Sequence, residues 1–307
     1  MGFRSHFHRG LVTGATGYVG YHLAEKLLQD GWEVSLLIRP GANTKKLDGL
    51  PKSPMVYKHP GDTKSLIEIL KEARPEIIFH LASQVQGEHL PEDVEALIRS
   101  NILFGTQLLE AATQSGVRYF VNTGSYWQHY EGEDYNPVNL YAATKQAFED
   151  ILRFYQASSS LRAVTLKLFD VYGPEDPRDK LFQQLDRAST TGEPLKMSRG
   201  EQLLDLVYID DVVEAYCQAA ELLKSQKPRD IKTGYAVSSG RRIPLKEVVE
   251  IYQTVSRRKV PVTWGGRPYR SREVMVPWTG DSLPGWKPLT DLETGFSQIL
   301  YQAAEKK

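Results

Sequence analysis

Short apolar runs alternate with amphipathic stretches along most of the chain, the pattern expected of stacked βα units around a parallel sheet. GLVTG (10–14) reads as a strand and GYHLAEKLLQDG (20–31) as a helix closed by Gly31. EVSLLIRP (33–40) is the next strand, SLIEILKEA (65–73) a helix and EIIFHLAS (76–83) a buried strand. A long helix is predicted over 93–115, then the strand RYFVNTG (118–124), a helix from Tyr141 to about Ala157, and the strand AVTLKLFDVYG (163–173). From Pro174 the texture changes, with more Pro, Gly and charge. LDLVYIDDVVEAYCQAAELL (204–223) looks like a strand entering a helix and TGYAVSS (233–239) like one more strand. The tail holds a helix near LKEVVEIYQTV (245–255), then WGGRPYRSREVMVPW (264–278). The expected fold is α/β: a Rossmann doubly wound parallel sheet over 1–173, with return segments about 203–240. A smaller mixed α/β substrate domain would occupy 174–202 and 241–307.

Bulk properties narrow the classes. The chain has 307 residues, 38 Lys plus Arg and 38 Asp plus Glu, so it lacks the basic excess of a dedicated nucleic-acid binder. No apolar run nears the roughly 18 residues that cross a bilayer, and MGFRSHFHRG has no apolar core of a signal peptide; a cytoplasmic protein is expected. The single cysteine, Cys217 in VVEAYCQAA, excludes an internal disulfide and reads as core filler. The seven His show no close ligand spacing, with His6 and His8 near the N-terminus, so no metal is expected. Arg257-Arg258-Lys259 reads as a solvated helix end.

Candidate chemistry begins directly after the first strand. Gly14-Ala-Thr16-Gly17-Tyr18-Val19-Gly20 opens a helix with glycines at the spacing that lets a pyrophosphate approach the backbone and meet unpaired helix N–H groups. The second strand ends in Leu37-Ile38-Arg39-Pro40, without the carboxylate that bonds a ribose 2′-hydroxyl. Arg39 suits a 2′-phosphate instead, which points to NADP over NAD. Further along, Tyr141-Ala-Ala-Thr-Lys145 puts a phenol and an ammonium one helical turn apart. Lowering a phenol by about three pKa units takes roughly 4 kcal/mol of preferential phenolate stabilisation, which Lys145 and a nicotinamide cation are expected to supply.

Together these residues resemble the extended short-chain dehydrogenase/reductases, the NAD-dependent epimerase/dehydratase family. GATGYVG is similar to that family's fingerprint, Asp62 in HPGDTKSL to its adenine-contacting acid, and HLAS (80–83) to its HLAA segment. Asn101-Ile-Leu-Phe-Gly-Thr resembles NxxGT, and LFDVYGP (168–174) resembles RxFNVYGP with Asp170 in place of Asn. VYIDDV (207–212) resembles VYVDDV, and Gly285-Trp-Lys-Pro288 the terminal GWxP. The resemblance implies cofactor contacts from Gly14, Thr16, Gly17, Tyr18, Val19, Gly20, Arg39, Asp62, Leu81, Ala82, Ser83, Asn101, Thr123, Phe169 and Val171, besides Tyr141 and Lys145. It implies Tyr141 as general acid or base and Lys145 as holder of the nicotinamide ribose. Ser125 would bond the reacting oxygen, with Thr123 the alternative for that hydroxyl.

Dehydratases of the family carry Asp-Glu after the catalytic hydroxyl, where this chain has Tyr126-Trp127. The likeness therefore favours NADPH-dependent reduction of the 4-keto group of a nucleotide-diphosphate 6-deoxy sugar. An epimerase with tightly held NAD(P), a reductase of a non-sugar carbonyl and a catalytically idle binding member are the alternatives. Substrate contacts are expected from Ser125, Trp127, Arg178, Lys180 and Arg270, with Arg267, Arg272 and Tyr269 also available and His129 and Tyr130 as sugar contacts. The resemblance further implies a homodimer built on a four-helix bundle.

Overall fold

In the computed structural model, residues 8–305 are described, and His6 lies outside them. The first half runs β1 (Arg9–Thr13), α1 (Tyr18–Gln29), β2 (Glu33–Ile38), β3 (Met55–Lys58), α2 (Thr63–Ala73) and β4 (Ile77–His80). It continues with α3 (Asp93–Ile98), α4 (Phe104–Gln114), β5 (Tyr119–Ser125), α5 (Leu140–Ser158), β6 (Arg162–Leu168) and β7 (Asp170–Tyr172). The second half comprises α6 (Leu181–Thr191), β8 (Leu195–Lys196), β9 (Leu203–Leu204), β10 (Leu206–Tyr208) and α7 (Ile209–Ser225). After these come β11 (Gly234–Val237), β12 (Ile243–Pro244), α8 (Leu245–Ser256), β13 (Val262–Thr263) and α9 (Leu292–Glu305).

The seven-stranded sheet has the order β11-β6-β5-β4-β1-β2-β3, every pair parallel, which bears out the Rossmann-type α/β expectation. Alternation along each strand explains its two cores. Leu11, Ile78, Phe120 and Ala163 point to the face covered by α2, α4 and α5, while Val12, Phe79, Val121 and Val164 point to that of α1 and α7. Because both faces are covered, these strands read as unbroken apolar runs.

Three departures from the sequence pattern have local causes. β3 was not expected; it is an edge strand with exposed Met55 and Val56, so it lacks a buried signature. The run 163–173 is not one strand: β6 pairs with β5 and β11, and after Phe169 the chain leaves the sheet as β7 to pair with β10. The long helix over 93–115 is interrupted by a π turn at Arg99–Leu103 that carries the buried Asn101.

That turn anchors the site. The Asn101 carboxamide donates to Gln84 O (2.9 Å) and Thr144 Oγ1 (2.9 Å), and accepts from Gln84 N (2.8 Å) and Ser83 Oγ (3.1 Å). The segment after β4 is thereby fastened to α5. One turn on, a Cβ on Gly105 would stand 2.4 Å from Phe148 Cε2, so the absent side chain lets α5 close onto α4. Cys217 is half-buried against the core on α7. Arg257 ends α8 in a left-handed turn, and the neighbouring Arg258 pairs with Asp186 at 3.1 Å.

Gly105→Ala is expected to lower stability by about 1–3 kcal/mol through overpacking on Phe148, less the gain in helix propensity. A chemical denaturation midpoint equal to wild type would show that the ring gives way freely.

Candidate active site

The strand order reverses between β1 and β4, the point at which an open α/β sheet offers a ligand crevice at the carboxyl ends of its strands. Gly14 follows β1 with φ +77°, and a Cβ there would lie 2.6 Å from Ala82 N, so backbone meets backbone at the crevice floor. Gly20 has the same constraint from the helix side: its Cβ would stand 2.2 Å from Gly14 O. Gly17 caps α1 without a side-chain bond, so no side chain of its own claims the first amides of that helix. The turn therefore fits a pyrophosphate held by backbone N–H groups. Thr16 and Val19 lie in this same turn and first helical residues.

Tyr18 is buried beside the turn and donates to Pro174 O (3.0 Å), tying α1 to the loop after β7. Arg178 covers its ring at 4.9 Å. Arg178 was expected to meet substrate, yet Nε and Nη2 bond Asp176 at 2.7 and 2.6 Å and Nη2 also bonds Val171 O at 3.2 Å. Its guanidinium is therefore largely spent on holding this loop. Lys180 is exposed at the start of α6; burial raises the Asp170 carboxyl above its ordinary value, and the Lys180 charge opposes that rise.

Arg39 is exposed just after β2, and its carbonyl accepts from Ala42 N (3.2 Å). Asp62 caps α2: one oxygen accepts from Ser65 N (2.9 Å) and the other from Ser65 Oγ (2.8 Å), which holds its pKa down. Leu81 N bonds Thr13 O (3.3 Å) and Ala82 N bonds Thr13 Oγ1 (3.1 Å), fixing 81–83 over the glycine turn. His80 is buried against Thr13 Oγ1 (2.9 Å); burial and the charge of Lys145 lower its pKa to about 3, so it is neutral.

Helix α5 brings up the reactive pair. Asn139 caps it by accepting from Ala142 N (2.9 Å), and its Nδ2 reaches Gly87 O (3.0 Å). Tyr141 and Lys145 follow on one buried face, with Lys145 Nζ 5.9 Å from the Tyr141 ring centre. Burial pushes the phenol up to about 12, while hydrogen bonding with the Ser83 and Ser125 hydroxyls draws it down. The expectation that Lys145 lowers this pKa is thus corrected for the protein itself: desolvation dominates, and the two serines oppose it. Lys145 is brought down to about 8 by burial, with the Glu149 carboxylate pulling it back up.

The two candidate hydroxyls separate clearly. Thr123 Oγ1 donates to His80 O (2.8 Å) and meets Tyr216 OH (2.6 Å), so it braces the sheet. Ser125 stands at the end of β5 against Tyr141, and its Oγ accepts from Trp127 N (3.2 Å). The Trp127 ring stands edge-on to Tyr141, centres 6.2 Å apart. Phe169 stacks on Tyr126 at 4.7 Å, and Tyr126 OH donates to Asp170 Oδ2 (3.0 Å). Arg270 is exposed, its guanidinium 3.9 Å from where a Cβ of Gly87 would be, beside the start of α5.

His129 and Tyr130 were expected to face a sugar. His129 instead has Nε2 2.6 Å from Lys167 Nζ and Nδ1 3.0 Å from Glu133 O, and Arg272 lies over the Tyr130 ring at 4.2 Å. Tyr269 OH accepts from Glu201 N (3.2 Å). Sequence reasoning missed Gln128, Glu149 and Lys167. Only Glu149 had a legible signal, lying on the face of Tyr141 and Lys145 at the same four-residue step.

A Rossmann crevice closed by a tyrosine–lysine helix defines a dinucleotide-dependent class of protein. Comparison with known proteins agrees: the profile described as "NAD dependent epimerase/dehydratase family" matches residues 10–234. The chain belongs to this family. Among relatives, it is 26% identical to the CDP-abequose synthase of Salmonella muenchen over 94% of this chain and 96% of that one. It is 31% identical to the UDP-glucose 4-epimerase of Mycolicibacterium smegmatis over 75% and 79% of the two chains. The solved UDP-glucose 4-epimerase of Thermus thermophilus in complex with NAD superposes with a TM-score of 0.81 at 27% identity, covering 95% of this chain and 98% of that one.

Dinucleotide affinity is expected to weaken above pH about 8 as Lys145 loses its proton. Because the folded pKa lies below the ordinary 10.5, burying this ammonium costs stability below pH about 8, and the cost fades as pH rises towards 10.5. Glu149→Gln removes the carboxylate that favours the ammonium, so the affinity loss should move to lower pH; binding titrations across pH giving a move upward would contradict these electrostatics.

Proposed function

We propose that this chain reduces the 4-keto group of a nucleotide-diphosphate 6-deoxy sugar with NADPH. The observation that carries the reading is the buried Tyr141 phenol between Ser83 and Ser125, with Lys145 one turn along the same helix. A phenol near pKa 12 is protonated at neutral pH, the state in which a reductase must hold its acid. The likeness to CDP-abequose synthases over nearly the whole chain supports the same direction, and Tyr126-Trp127 replaces the acid pair an elimination needs.

When bound, the reduced dinucleotide supplies a hydride to the carbonyl carbon. The glycine turn and the amides of α1 would hold its pyrophosphate, and Lys145 its nicotinamide ribose. Arg39 at the end of β2 would pair with the 2′-phosphate that distinguishes NADP. Ser125 Oγ donates a hydrogen bond to the carbonyl oxygen as charge develops there. Tyr141 passes its proton to the same oxygen, and hydrogen bonding from the Ser83 hydroxyl steadies the phenolate left behind. Arg270 and Lys180 are the exposed cations that would meet the sugar diphosphate, and Trp127 the ring that would border the sugar. A homodimer is part of the reading: Val94 and Ile98 on α3 and Phe154 on α5 expose apolar side chains, Phe154 to 63%.

Epimerisation is the second reading, favoured by the 31% identity to a UDP-glucose 4-epimerase. It predicts a tightly held dinucleotide that is not consumed, whereas the reductase consumes NADPH mole for mole with keto sugar.

NADPH oxidation with a nucleotide-linked 4-keto-6-deoxy sugar is expected for the wild type, and Tyr141→Phe should cut kcat by about 10²–10⁴-fold. Interconversion of 4-epimers without NADPH consumption would replace the reductase reading with the epimerase. Arg39→Ala is expected to raise the KM for NADPH far more than that for NADH; equal effects would remove the case for NADP.

A further inference from the structure

We propose that Gln128 and Glu149 form a positioning pair that sets the Ser125 hydroxyl against the Tyr141 phenol; this rests on the reductase reading above. Gln128 is fully buried in the short turn Tyr126–Gln128 that follows β5. Its Oε1 accepts from Ser125 N at 2.9 Å, while its Nε2 donates to Glu149 Oε1 and Gln146 Oε1, both at 2.8 Å. Both acceptors lie on α5, the helix that carries Tyr141 and Lys145. One carboxamide therefore ties the peptide of Ser125 to the element holding its partners.

Gly124 gives an independent sign that this approach is built in. A Cβ at that position would stand 2.9 Å from Gln128 Oε1 and 2.9 Å from Glu149 Oε1. The strand forgoes a side chain beside the reactive serine and admits two buried polar oxygens. The Gln128–Ser125 N bond is half of a capping box that opens the turn, but such a box needs no contact with Glu149, since apolar side chains fill such space without desolvating a carboxylate.

The pair is also held from behind. Glu149 Oε2 lies 3.5 Å from Lys167 Nζ, which bonds His129 Nε2 at 2.6 Å, and the His129 ring stacks on Trp278 with centres 3.9 Å apart. Trp278 belongs to the same C-terminal stretch as Arg270. The charge balance inside this cluster is Lys167 against Glu149, with His129 kept neutral by burial and by that lysine. Gln128 thus does not act on substrate; it acts through Ser125.

Gln128→Met keeps the length of the side chain and removes its three hydrogen bonds. It is expected to lower kcat by about 10–100-fold, because misplacement by about 1 Å has that scale of effect. Substrate KM and dinucleotide Kd should stay within about threefold of wild type. A crystal structure of the variant should show Ser125 Oγ displaced from Tyr141. Gln128→Glu alone sets two carboxylates against each other; the exchange Gln128→Glu with Glu149→Gln restores one amide–carboxylate hydrogen bond between the two positions and keeps an acceptor for Ser125 N. It should recover at least about tenfold in kcat over Gln128→Glu alone, which decides the matter if Gln128→Met does not fold. Wild-type kcat with Ser125 unmoved in Gln128→Met, or no recovery in the exchange, would overturn the inference. If wild type turns over no keto sugar nucleotide, the reductase reading fails, and the position of Ser125 in the variant crystals still tests the pairing.

Discussion

Desolvation of one helix face governs this protein. Tyr141 and Lys145 are carried by α5 into a buried position beside the end of β5, and burial moves both pKa values in the direction of the neutral form. The phenol goes up and the ammonium comes down to about 8, so the phenol stays neutral while the lysine still holds its proton at neutral pH. Hydroxyls from two different strand ends, Ser83 and Ser125, then act on the phenol alone. This arrangement keeps a proton on Tyr141.

Holding such a face in place takes more than packing. Asn101 in the π turn fixes Ser83, Gln84 and Thr144 with one carboxamide, and Gln128 fixes Ser125, Gln146 and Glu149 with another. Each amide side chain uses donor and acceptor ends, so each joins a strand end to the helix that carries the tyrosine. Gly105 and Gly124 serve these contacts by absence, one admitting Phe148 and the other two polar oxygens. The precision of the site thus comes from small residues and amides around it, more than from the reactive pair.

The cations divided in a way that composition could not foretell. Arg178 spends its guanidinium on Asp176 and the Val171 carbonyl, bracing the loop after β7 against Tyr18. Arg272 lies on Tyr130 and bonds Asn136, and His129 is locked between Lys167 and Trp278. Arg39, Lys180, Arg267 and Arg270 are the expected binding cations that stay exposed.

By itself the sequence determined the βα alternation, the parallel sheet, the glycine turn after β1 and the four-residue step from Tyr141 to Lys145. These are local properties: apolar periodicity, backbone freedom at a turn, and helix geometry, each readable within a few residues. Only the tertiary structure decided that the phenol is raised by burial, that Thr123 braces while Ser125 faces Tyr141, and that Gln128 reaches α5. It alone split 163–173 between two sheets and placed a π turn under Asn101. Each of those depends on groups tens of residues apart being brought together and stripped of water, and no spacing along the chain encodes how far a side chain is desolvated.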